Sequence, residues 1–388
     1  MNAIQSASVS QPALEHDLAH LLQDIRARGL AGEFDAQACI SPDVIAQFKR
    51  IGVYRALVPK RFGGEEWTPM QFCELIERLS QADGSAGWVA SFGMSPAYLA
   101  ALPEATLRQL YAAGPDVVFA GGIFPPQPAE SVVGGYRVSG RWQFSSGCQS
   151  ADVVGVGISP LKADNSLGLP HMAVLPRASV AIEETWDTIG LKGTGSHDLV
   201  VDDVFVAEEW TMVRGAPSML PEPFFRYPAL SFATQVLSVV ALGVARAAID
   251  ELVAMGNGSR SITGGPSIGQ RPLTQFNVAQ AEADWRAARS WFYDAMNAAW
   301  DSILSGDAVS LEQINALRLS STHATRVAAK VSRDIQLMSG MAGIYRNHPL
   351  SRYVNDTNVI TQHAFMGDLT YQNAGAMLFG HAPLGGYL

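Results

Sequence analysis

At 388 residues the chain exceeds the size at which one hydrophobic core stops growing, so two or three packed units sharing an apolar interior are expected. It is 48% hydrophobic and only 16% charged, which suits extensive burial, subunit interfaces included, and makes a homo-oligomer the default. A net charge of −9 without any Lys/Arg-rich run argues against nucleic acid, and no stretch has the roughly 18 uninterrupted apolar residues of a membrane span.

Met1 to Pro12 is polar and reads as a frayed tail, neither signal nor transit peptide, so the cytoplasm is the expected compartment. Cys39, Cys73 and Cys148 show neither CxxC nor Cys/His spacing, so no disulfide framework and no metal site is expected. To about Gly114 the pattern is helical. Ser41-Pro42 opens an amphipathic run through Val44, Ile45, Phe48 and Ile51 that stops at Gly52. Thr68 to Gln71 is a capping box with proline at the first helical position, and its helix carries Phe72, Leu75, Ile76 and Leu79. A third helix is expected across Pro103 to Ala113.

From Asp116 the grammar changes to short β-rich runs: Val117 to Ile123, Ser131 to Val133, Tyr136 to Phe144, Ala151 to Ile158, His171 to Leu175, Val180 to Glu184 and Leu199 to Val206. Gly134-Gly135 reads as a tight hairpin, and the whole as a β-barrel or sandwich. From Tyr227 the helical period returns, in segments near Leu230 to Met255, Leu273 to Ser305, Ser310 to Met338 and Asn358 to Leu378, as in a helical bundle. Ser310 to Gln313 is a second capping box. The glycine-rich gap Asn257 to Gly269 is too long for a tight connection, and is either disordered or a binding loop. The expected α+β layout is therefore a helical domain over 1–115, a central β-domain over 116–220 and a C-terminal four-helix bundle over 221–388.

Three motifs in that order carry a resemblance. Tyr136-Arg-Val-Ser-Gly-Arg-Trp142-Gln-Phe144-Ser145-Ser146-Gly147, then Ala151-Asp152, is similar to the β-domain signature of acyl-CoA dehydrogenases. Trp186 to Ser196, with Gly193-Thr194-Gly195-Ser196, looks like their second signature. Gln336 to Gly343, His348-Pro349-Leu350 and Asn355-Asp356 resemble their glycine turn and the Arg-Asp element after it. The chemistry departs. Dehydrogenases need a carboxylate base for the α-proton of a thioester. In one group it stands eight residues after that Asp, which here is Ala364, beside His363. In the other it lies on the helix after the β-domain, where this chain offers Gln235, Ser238 and Arg246, with Asp250 a turn or more too late.

A histidine in that place resembles the two-component flavin monooxygenases built on this fold. That resemblance implies reduced FAD or FMN supplied by a separate NAD(P)H-dependent flavin reductase, O2 as co-substrate, a flavin C4a-hydroperoxide and a small aromatic substrate. Overall similarity leans towards an indole such as indole-3-acetate, and a homotetramer is the family's common state. Ser146 falls where the family places a hydroxyl beside the flavin; the alternative is a β-turn serine. Phe144 and Ser145 belong to the same strand, Phe144 lying against the ring system or in the core. His363 is the expected base or proton donor, against a structural histidine in a helix. Thr194 and Ser196 contact the cofactor or shape their turn. Arg260 and Arg271 flank the glycine-rich gap, where the dehydrogenases direct an arginine to a neighbouring subunit's flavin; solvated charge is the alternative. Trp88, Phe92, Met94 and Tyr98 are substrate-pocket residues or packing. Several of these monooxygenases carry a second histidine there, and this chain has none. His197, Asp202 and Asp203 read as an exposed strand edge. A dehydrogenase with a displaced base and a catalytically silent scaffold remain the rival expectations.

Overall fold

The computed structural model describes residues 11–162, 164, 166–256, 258 and 265–384. The first ten residues and most of the glycine-rich gap, Arg260 included, lie outside the described residues. Helices α1 (Gln11–Leu30), α2 (Glu33–Gln37), α3 (Pro42–Ile51), α4 (Pro69–Ala82), α5 (Gly84–Ser91), α6 (Pro96–Leu99) and α7 (Glu104–Leu110) precede the sheet. The Thr68 capping box forms, its hydroxyl accepting from the Gln71 amide while the Gln71 side chain accepts from Thr68 N–H. After the sheet come α8 (Ala229–Gly256), α9 (Pro272–Leu304), α10 (Leu311–Met338), α11 (Pro349–Thr361) and α12 (Leu369–Leu378).

Early and late helices share one core. Phe72, Ile76 and Leu79 of α4 pack in the same buried cluster as Phe232, Val236, Val240 and Val244 of α8. Gly243 permits the approach, because a Cβ there would fall 2.4 Å from the Glu77 carbonyl. Glu77 then locks α9 to α4, accepting from Arg289 at 2.6 Å and from the Tyr293 hydroxyl at 2.7 Å. Among the described residues, no helix is long and apolar enough to cross a membrane, and no group of three or more His, Cys, Asp or Glu could hold a metal.

The strands are β1 (Phe119–Val132), β2 (Gly135–Ser145), β3 (Val153–Pro160), β4 (His171–Pro176), β5 (Ala181–Glu183), β6 (His197–Ala207) and β7 (Thr211–Val213). They form one sheet in the order β5-β6-β2-β1-β3-β4-β7, antiparallel except for the parallel pair β1/β3. Of the expected barrel or sandwich, the barrel is corrected: the sheet is open, with β5 and β7 at its edges. Its own core gathers Val138, Trp142, Val154, Val156 and Leu199, and the Trp142 indole donates to the Gly157 carbonyl at 2.8 Å.

Two expected boundaries also move. The runs at Val117 and Ser131 are one strand, β1, whose pairing with β3 skips between Gly122 and Gln127; prolines 125 and 126 sit inside that irregularity, where no ladder hydrogen bond is demanded of them. The helix expected over Asn358 to Leu378 breaks at 362–368. Side chains of α10 and α12 capture carbonyls in that turn: Thr322 of α10 and Thr370 of α12 donate to Phe365 O at 3.4 Å each, and Arg326 of α10 donates to Met366 O at 3.1 Å.

Candidate functional site

Helix α5 is buried along its whole length and enters the site with Trp88. Asp83 starts it, accepting the Ala86 amide at 2.9 Å while paired with Arg352 of α11 at 2.8 Å. Arg352 also donates to the Gly29 carbonyl. One turn further along α11, the buried Asp356 carboxylate accepts the Leu191 amide at 2.6 Å. Burial pushes the Asp356 carboxyl up to about 7, against the pull of Arg352 and that amide. The interaction holds the loop of Thr194 and Ser196, whose Leu191 and Gly195 are left-handed, with φ near +50° at both.

Four expected site residues meet there. The Trp88 indole donates to Ser146 Oγ at 3.0 Å, Ser146 and Ser196 hydroxyls lie 2.7 Å apart, and so do those of Ser196 and Thr194. Thr194 also donates to the Leu191 carbonyl at 2.8 Å. All four side chains are buried. Three hydroxyls have one proton each and three contacts to fill, so direction follows by counting. Thr194 donates to Leu191 O, Ser196 to Thr194 and Ser146 to Ser196; Ser146 Oγ accepts from Trp88 and retains one lone pair.

His363 faces the same cluster, its ring centroid 5.9 Å from that of Trp88 and 4.8 Å from that of Phe365, both edge-on. The expectation of a helical histidine is corrected: His363 caps the short turn Ala364–Met366, its Nδ1 accepting the Phe365 amide at 3.2 Å. Burial lowers its pKa to about 4, so the ring is neutral at pH 7, and with Nδ1 accepting, its proton sits on Nε2. Arg318 of α10 lies behind the turn, buried, its guanidinium 5.6 Å from the Phe365 ring and donating to Thr234 at 3.0 Å.

The other expected residues separate. Phe144 is 66% exposed at φ +64° and stands edge-on to Trp186, centroids 6.3 Å apart, so its reading as a core aromatic is wrong and it forms an open aromatic wall beside Ser146. Ser145 is buried with no hydrogen-bond partner for its hydroxyl among the described residues; it crowds Gly122, where a Cβ would fall 2.9 Å away. Met94 is core, with Phe92 and Tyr98 partly buried against it. Arg271 is exposed, donating to Pro266 O ahead of α9. His197 is not an exposed edge: it is buried, its Nδ1 accepting the Thr185 and Trp186 amides at 3.1 Å each, whereas Asp202 and Asp203 are exposed. Asp83, Asp356 and Arg318 escaped the sequence reading as site-forming residues. Asp356 stood in the quoted Asn355-Asp356 element without a structural role being read from it, Asp83 carried the local signal of an N-cap, and Arg318 carried none.

The positions where a dehydrogenase would need its base cannot remove a proton. Ala364 has no polar side chain, Gln235 accepts from the Tyr227 hydroxyl at 3.0 Å, and Ser238 donates to Met366 Sδ at 3.4 Å. Asp250 is engaged by Arg246 at 2.7 Å and by Gln81 at 2.8 Å.

Comparison with known proteins shows the family. Residues 235–368 match the family model "Acyl-CoA dehydrogenase, C-terminal domain". The chain is 62% identical to an indole-3-acetate monooxygenase of Acinetobacter baumannii over 388 residues, all of both chains. It is 29% identical to the oxygenase component of an FADH2-dependent resorcinol hydroxylase of a Rhizobium species, covering 88% of each chain. The crystal structure of 3-HSA hydroxylase from Rhodococcus sp. RHA1 superposes with a TM-score of 0.90 at 25% identity, covering 97% of this chain and 98% of that one. With a base-free dehydrogenase fold and full-length identity at this level, the chain belongs to the flavin-dependent monooxygenase branch of the acyl-CoA dehydrogenase superfamily, the branch that includes the indole-3-acetate monooxygenases.

Proposed function

We propose that this chain is the oxygenase component of a two-component system that oxygenates indole-3-acetate, using reduced FAD or FMN delivered by a separate NAD(P)H-dependent reductase. The observation that carries the reading is the meeting of Trp88, Ser146, Ser196 and Thr194 with a neutral His363, in a chain 62% identical to a protein of that activity. The residues fit a flavin. Phe144, exposed, and Trp186, half-buried beside it, offer aromatic surface for a flat ring. Ser146 offers a buried lone pair at the end of an ordered hydroxyl chain. Reduced flavin supplies the electrons with which O2 is activated.

The chain's own residues do the rest. Trp88 and Phe365 pack edge-on against His363 and reduce its contact with water. Nε2–H of His363 donates a hydrogen bond to oxygen as charge develops; it acts as a donor and not a base, because Nδ1 is committed to the Phe365 amide. The carboxylate of an arylacetate calls for a buried cation, and Arg318 beside Phe365 supplies it. Exposed Leu337, Met341, Ile344, Tyr345, Leu378 and Phe379 on the bundle favour self-association as a tetramer.

The test is turnover of indole-3-acetate with NADH, a flavin reductase, flavin and O2, reading product and peroxide separately. Product accumulation that depends on this chain supports the reading. Flavin bleaching by an acyl-CoA, with no aromatic oxygenated, would replace it with the dehydrogenase.

A further inference from the structure

The hydroxyl chain has a direction, and a direction can discriminate between ligands. Its order rests on the Thr194 hydroxyl, whose proton goes to the Leu191 carbonyl at 2.8 Å. With that proton committed, the 2.7 Å contacts from Thr194 to Ser196 and from Ser196 to Ser146 each need the other residue's proton. Ser146 is left with a lone pair and no free hydrogen, since the Trp88 indole at 3.0 Å can only donate. Reversal has a cost but is possible: Leu191 O keeps a second donor, the Trp186 indole at 2.9 Å, if Thr194 turns away.

We infer that the Thr194–Ser196–Ser146 chain is a redox-state filter, presenting an acceptor at Ser146 that favours reduced flavin, whose N5 carries a hydrogen, over oxidised flavin, whose N5 is itself an acceptor. The inference rests on the proposed flavin site. Thr194 and Ser196 are then positioning residues that act through Ser146 and need not touch the cofactor. Oxidised flavin binds only by reversing all three hydroxyls or by facing lone pair to lone pair.

The experiment measures dissociation constants of the full chain for reduced flavin, anaerobically, and for oxidised flavin, in wild type, Thr194→Val, Thr194→Ser and Ser196→Ala. Valine keeps the shape of threonine and removes the proton anchor. Wild type is expected to bind reduced flavin more tightly, and Thr194→Val to shrink the oxidised-to-reduced ratio of constants about tenfold. That change lowers the midpoint potential of bound flavin by about 30 mV. Thr194→Ser restores the ratio, and Ser196→Ala behaves as Thr194→Val. A Thr194→Val protein that weakens both redox forms by the same factor, as a loosened loop would, overturns the filter, and so does a wild type that binds both forms equally. A wild type that binds neither form overturns the proposed function together with the filter.

Discussion

Two walls meet at Trp88: one of hydroxyls, Ser146, Ser196 and Thr194, reached through its indole N–H, and one from the bundle, where His363 and Arg318 sit among aromatic rings. The hydroxyl wall has no charge to change near neutral pH, so its one variable is which oxygen donates to which. The bundle wall holds an imidazole and a guanidinium, and burial keeps His363 neutral by desolvation. Order of donation prepares one side and dielectric the other. A single carboxylate, Asp356, joins them by holding the Leu191 loop against α11.

The sharpest way to separate the walls is His363→Ala. It is expected to lower product formation about 100-fold, with electrons diverted to peroxide, while reduced-flavin affinity stays within about twofold. Stopped-flow product analysis beside flavin titration reads both, and an equal loss in binding would mean that the two walls are not independent. Next in size is Arg318→Met, expected to lower kcat/KM for indole-3-acetate about 30-fold, the range of a lost charge-assisted hydrogen bond, while leaving 3-methylindole within about threefold. Arg318→Lys should fall between. Equal losses on the acid and the neutral indole would assign Arg318 to packing.

The smallest effect is on stability against pH. An ordinary histidine takes its proton near 6.5, whereas folded His363 takes it only near pH 4. Between those values the unfolded chain binds a proton that the folded chain refuses, so His363 makes stability fall as pH drops from about 6.5 to about 4 and contributes no slope above that window. His363→Asn should remove this part of the slope, with Tm falling roughly 2 °C less than in wild type between pH 7 and pH 5. For the same reason His363 should put no inflection near pH 6.5 into the wild-type rate profile.

The elements with strong local grammar were legible in advance. Both capping boxes form where Thr68 and Ser310 stand, and α8, α9 and α10 begin and end within a residue or so of their periodic patterns. The lines that failed were those where long-range partners compete with local preference. The expected runs Val117 to Ile123 and Ser131 to Val133 are one strand, β1, which carries prolines 125 and 126 through a register skip. The helix pattern past Asn358 is broken because α10 supplies hydrogen bonds to carbonyls that an α-helix would have satisfied internally.

By itself the sequence determined that this is a helix–sheet–helix chain of the dehydrogenase fold with the base position vacant at Ala364 and a histidine beside it. Three local motifs in chain order, through the family resemblance they carry, and a count of eight from Asp356 are sufficient for that. Only the tertiary structure decided that His363 leaves the helix, becomes neutral and carries its proton on Nε2, and that Trp88, Ser146, Ser196 and Thr194 join in a directed chain. Those residues come from four separate stretches of chain, and both proton direction and desolvation are properties of what surrounds a group in space.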